Sequence, residues 1–72
     1  MNKIDYTILV YINSSIRSLN GIRNEYSSYF LRISIYNAIR NLKRKKLIQN
    51  CGQGRYEITQ LGKELINEKK EK

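Results

Sequence analysis

Apolar residues recur with helical spacing over residues 3–16, where Ile4, Ile8, Ile12 and Ile16 return at every fourth position with Tyr11 beside them. That period marks one face of an amphipathic helix, and Asn2 or Asp5 can cap its start. Tyr6, Leu9 and Val10 form a second apolar flank. A helix apolar on two flanks meets either a deep core or a second subunit. Ser18-Leu19-Asn20-Gly21 reads as a turn. Asn20 then suits the N-cap of a short helix from Gly21 to Tyr26, with Ile22 and Tyr26 one turn apart. Ser27 and Ser28 interrupt the pattern, and Tyr29, Phe30 and Leu31 are expected to plug the core around a second turn.

The clearest periodicity lies in residues 34–46. Ser34 is the best cap there, and Ile35, Ala38, Ile39 and Leu42 fall at i, i+3, i+4 and i+7, a single apolar stripe. The opposite face carries Tyr36, Asn37, Arg40, Asn41, Lys43 and Arg44. Leu47-Ile48 begins a strand. Cys51-Gly52-Gln53-Gly54 supplies a tight turn with two glycines free to adopt positive φ. Arg55-Tyr56-Glu57-Ile58-Thr59 alternates polar and apolar like a half-buried strand. Thr59 can cap a last helix with Leu61, Leu65 and Ile66 as its stripe, and the polar run Asn67–Lys72 is expected to fray. The predicted order is helix, helix, helix, hairpin, helix.

The length of 72 residues allows one domain, residues 1–72, with a modest core. Cys51 stands alone and histidine is absent, so neither a disulfide nor a cysteine–histidine metal site is expected. A small domain without such staples points to a partner subunit, hence a homodimer through helix 3–16, the C-terminal helix, or both. No apolar run approaches the ~20 residues of a membrane span, and the N-terminus lacks a secretory layout. A soluble, cytoplasmic protein is the expectation.

Charge adds the functional direction. The net charge of +8 is uneven: residues 1–56 hold ten basic side chains against the acids Asp5 and Glu25, whereas four of each sign alternate over residues 57–72. A one-sided positive field draws polyanions. A composition rich in Ile, Asn, Lys and Tyr, as an AT-rich genome encodes, explains many lysines but not the confinement of the acids to one end.

Three helices followed by a hairpin is the order of a winged helix-turn-helix domain, and particular residues strengthen the likeness. Ser34 to Ile48 resembles the recognition helix and first wing strand of MarR- and PadR-like regulators, with Ile39, Leu42, Leu47 and Ile48 at the apolar positions. Ile58-Thr59-Gln60-Leu61-Gly62 is similar to the Leu-Thr-x-x-Gly that follows the wing in those proteins. Lys46 occupies the place of the family's helix-ending glycine, the segment from Tyr26 to Ser34 is longer than the usual turn, and the wing turn is short. The resemblance implies a mainly α fold with a β-hairpin wing and a protein that binds double-stranded DNA.

The residues make the same case physically. A major groove admits a helix whose exposed face offers donors to phosphates and base edges. Arg40 can fork onto guanine and Asn37 can pair with adenine. Ser34, Tyr36 and Asn41 suit base or phosphate contacts. Arg32 is placed for a phosphate, and Lys43 and Arg44 for neutralising the backbone. Gln53 and Arg55 on the wing can reach phosphate or the minor groove. Catalytic residues, cofactors and a small-molecule ligand are not expected: the acids alternate with lysines as ordinary helix-surface pairs, and no helix follows the hairpin glycines to cradle phosphate. The leading expectation is a sequence-specific transcriptional regulator. A non-specific architectural DNA-binding protein and a winged-helix protein-interaction adaptor are the alternatives, and RNA binding is weaker because no stacking platform is evident.

Overall fold

The computed structural model describes residues 2–70. Its first helix, α1 (Lys3–Ser14), is capped by Asn2, whose Oδ1 accepts the Asp5 backbone N–H at 2.8 Å. It stops short of Ile16, and Ser15 is already extended. Ile16, expected on the buried stripe, is therefore 55% exposed. The cause lies next in the chain, where Arg17 and Ser18 form a strand, β1, absent from the expected order.

The second helix, α2 (Leu19–Tyr26), starts before Gly21 and is capped by Ser18, whose Oγ accepts the Gly21 N–H at 3.0 Å. Asn20, the expected cap, lies inside the first turn. The third, α3 (Arg32–Arg44), is shifted two residues towards the N-terminus relative to 34–46. Leu31 occupies its N-cap with no side-chain hydrogen bond, and Ser34 sits half-buried in the first turn. The stripe Ile35, Ala38, Ile39 and Leu42 is buried as the spacing requires. In the turn before α3 only Phe30 packs inward. It stacks on Tyr26 at 5.5 Å between centroids, and Tyr26 meets Tyr11 edge-on at 5.3 Å. Burial, then the neighbouring Glu25 carboxylate, raises the Tyr26 phenol above its ordinary value. Tyr29 and Leu31 do not plug the core; each is 74% exposed.

The end of α3 shows what Lys46 does in a glycine position. The Leu47 N–H reaches back to the Leu42 carbonyl at 2.9 Å and the Lys46 N–H to the Lys43 carbonyl at 3.0 Å. This pair of bonds is a Schellman motif, which needs a left-handed residue at its centre. Lys46 takes that role at φ 62°. The buried Leu47 and Leu42 complete the motif's apolar side.

Strands β2 (Ile48–Gly52) and β3 (Arg55–Ile58) form the hairpin, and the sheet is antiparallel in the order β1-β3-β2. The register steps from Asn50–Tyr56 to Gly52–Arg55. Cys51 becomes an extra residue on β2 and is exposed, as is the rest of the strand beyond Ile48. Gly52, Gln53 and Gly54 turn the chain with φ of 109°, 52° and 70°.

The last helix, α4 (Gln60–Lys70), has Thr59 before it; the Thr59 hydroxyl accepts the Gly62 N–H at 3.2 Å and donates to the Lys46 carbonyl at 2.7 Å. Gly62 is buried, and a Cβ there would collide with the Leu47 carbonyl and the Ile58 side chain. The close approach of α4 to the start of the hairpin thus excludes any larger residue. The expected fraying is not seen over Asn67–Lys70, which is helical: Ile66 is buried and Lys69 Nζ lies 5.3 Å from the Tyr6 ring centroid, tying the end of α4 to α1. The remaining residues of the expected frayed tail, 71 and 72, lie outside the described residues. The protein is mainly helical with a small three-stranded antiparallel sheet, and its core joins Ile8, Leu9 and Ile12 of α1 to the α3 stripe, Ile22, Ile48, Tyr56 and Ile66. Among the described residues no helix is long and apolar enough to cross a membrane.

Candidate nucleic-acid interface

One side of α3 is consumed by the core, so the other must face outward. Arg32, Ile33, Tyr36, Asn37, Arg40, Lys43 and Arg44 are exposed, with Ser34 and Asn41 half-buried at its edges. No acid occurs anywhere from Tyr26 to Tyr56, so nothing on this helix neutralises the cations.

The exposed face borders a groove of about 510 Å³ between α3, the start of α2 and the sheet, lined by Leu19, Tyr36, Ile39, Arg40, Lys43, Arg44 and Tyr56. Its floor is apolar and aromatic, and its α3 wall is cationic. Lys43 Nζ lies 5.7 Å from the Tyr56 ring centroid, a distance at which the ring face attracts the ammonium. The floor exists because β1 adds to the sheet: β3 becomes the central strand, and the Leu19 N–H bonds the Gly54 carbonyl at 2.9 Å. That bond fixes the start of α2 against the hairpin turn.

The proposed contact residues do not form a single patch. Tyr36, Arg40, Lys43 and Arg44 converge on the α3 groove, with Asn37 on the same exposed face. Arg32 is the first residue of α3 and meets Arg23, Asn24 and Ser27 across the α2–α3 turn, around a pocket of about 280 Å³. Gln53 and Arg55 line a third concavity with Ile16, Cys51 and Glu57. Strand alternation separates them from the groove: Tyr56 points inward, so Arg55 and Glu57 face the other side.

Two residues of this surface were not singled out from sequence. Arg23 reaches the exposed face of α3, with its guanidinium carbon 5.9 Å from the Tyr36 ring centroid. Its approach to Arg32 depends on the fold of the α2–α3 turn, which sequence spacing does not reveal. Ile33 is 66% exposed in the first turn of α3. Its signal was readable: it lies seven positions before Arg40 and four before Asn37, on the polar stripe. Arg17, by contrast, is occupied, with its guanidinium 4.0 Å over the Tyr11 ring and donating to Ser14 Oγ at 2.8 Å.

No protein-family model, curated protein or solved structure matches the chain.

Proposed function

We propose that this is a winged helix-turn-helix protein that binds double-stranded DNA and acts as a sequence-specific transcriptional regulator. In this reading α2 and α3 are the helix-turn-helix pair, α3 enters the major groove, and the β2–β3 hairpin is the wing. The observation that carries it is the acid-free exposed face of α3, where Asn37 and Arg40 stand beside Lys43 and Arg44. Asn37 and Arg40 have the forked edges that read adenine and guanine. Lys43 and Arg44, further along the helix, neutralise phosphates. Arg32 and Arg23 suit a phosphate beside the α2–α3 turn. Gln53 and Arg55 form a separate wing contact to backbone or minor groove.

A homodimer on a pseudo-palindromic site completes the proposal. Leu61 of α4 is 52% exposed beside Leu65 and Leu47, in a concavity bordered by Lys45, Glu64 and Glu68. The same apolar patch favours a protein-binding adaptor as the second reading, with α4 as its contact element.

Selection of bound sequences from a random duplex pool at fixed salt tests the proposal. Enrichment of a defined site supports it. Binding that never localises and falls steeply with salt supports a non-specific architectural protein instead. Absence of duplex binding at physiological salt removes the DNA reading and leaves the adaptor.

A further inference from the structure

Ile33 is 66% exposed, and although Tyr29 and Leu31 just before the helix are exposed as well, an isoleucine is out of keeping with the polar and cationic side chains that share its stripe of α3. Ile33 lies in the first turn of α3, and Asn37, Arg40 and Arg44 follow it at i+4, i+7 and i+11 along one stripe. It has no role in the core, which α3 meets through Ile35, Ala38, Ile39 and Leu42. An apolar side chain so placed gains by meeting an apolar group on an otherwise polyanionic partner. The major groove of DNA offers one such group on its base edges, the C5-methyl of thymine.

We infer that Ile33 is a specificity-determining residue that packs on a thymine methyl group in the major groove. The inference rests on the proposed insertion of α3 and extends it to a base that Asn37 and Arg40 do not read. The occupant is chosen by the surroundings. Asn37, Arg40 and Arg44 flank Ile33 on the exposed stripe, Arg32 precedes it, and no acid shares the helix. One helical turn separates Ile33 from Asn37, a rise of about 6 Å. Base pairs stack about 3.4 Å apart, so the thymine is expected within roughly two base pairs of the adenine that Asn37 reads.

The test uses the full chain and synthetic duplexes. The preferred site is first selected from a random pool. Duplexes of that site are then made with each thymine replaced singly by deoxyuracil, which removes only the methyl group and leaves the protein untouched. One replacement is expected to weaken wild-type binding about three- to fivefold, the size of one methyl removed from an apolar contact. The Ile33→Ala protein is expected to bind the thymine and uracil versions of that position equally. If a site is selected but no replacement weakens binding, or if Ile33→Ala keeps the full thymine preference, the inference is overturned while the DNA reading stands. If duplexes bind without any preferred site, or do not bind at all, the sequence-specific reading fails and the inference falls with it.

Discussion

Lys46 provides a test of the fold that is independent of function. It holds φ at 62° to close the Schellman motif after α3. A side chain in the left-handed region costs about 1–2 kcal/mol from contact between Cβ and the following carbonyl. Glycine removes that cost but makes the unfolded chain more flexible, which returns about 0.4–1 kcal/mol. Set against Lys46→Ala, which loses the same charge, the Lys46→Gly protein is therefore expected to be more stable by about 0.5–1 kcal/mol, a difference in Tm of roughly 2–8 °C for a domain of this size. Charge must be separated from backbone, because a lysine at a helix C-terminus is itself favourable by about 0.3–1 kcal/mol. Lys46→Ala supplies the control: it loses the same charge and keeps the Cβ. Thermal melts followed by circular dichroism, with urea titrations of the same three proteins, give the comparison. If Lys46→Gly is no more stable than Lys46→Ala, the left-handed geometry at the end of α3 is wrong.

Gly62→Ala has the opposite sign: its Cβ meets the Leu47 carbonyl and Ile58, and overpacking of this kind costs about 1–3 kcal/mol, so a urea midpoint unchanged from wild type would contradict the close approach of α4. Thr59→Ala loses the N-cap of α4 and its bond to the Lys46 carbonyl, and a destabilisation of about 1 kcal/mol is expected by urea titration. For DNA, Arg40→Ala is expected to relax base preference, whereas Lys43→Ala weakens all duplexes alike and reduces the salt slope by about 1; equal losses on every sequence from both proteins would refute the division of roles along α3.

Much of this architecture was legible because burial and local period agree. The stripe Ile35, Ala38, Ile39 and Leu42 is buried as spaced, the expected turn falls between two strands although Cys51 and Gly52 belong to β2 and only Gln53 and Gly54 join it to β3, and Thr59 caps α4. The failures have a common cause in tertiary contact. Strand β1 is two residues long, too short to display an alternation, and exists because β3 offers it a partner. Its formation ends α1 early, exposes Ile16 and moves the cap of α2 to Ser18. The start of α3 falls earlier than expected because Ser34 is a better cap by type than Leu31; Ile33 thus lies outside the expected helix of 34–46 and its place on the exposed face goes unread. At the candidate interface, helical period foretold which α3 side chains face outward. It carried no information on the groove floor, which depends on how Leu19 and Tyr56 meet across three elements.

The division of α3 into two faces also sets what mutation can separate. Its buried stripe carries the core, so a change at Ile39 or Leu42 confounds stability with any loss of binding. Arg40, Lys43 and Arg44 are exposed and have no role in that core, and surface substitutions of this kind usually alter stability by less than about 0.5 kcal/mol. Lys46 lies just beyond them at the end of the same helix, where the positive charge and the backbone have conflicting requirements. A lysine there adds to the cationic field around α3, while the left-handed φ favours glycine. If Lys46→Gly stabilises the protein and at the same time lowers duplex affinity with a shallower salt dependence, the charge is retained for binding at the expense of stability. A stabilised variant with unchanged affinity and salt slope would place Lys46 outside the interface and leave Arg40, Lys43 and Arg44 as its cationic wall.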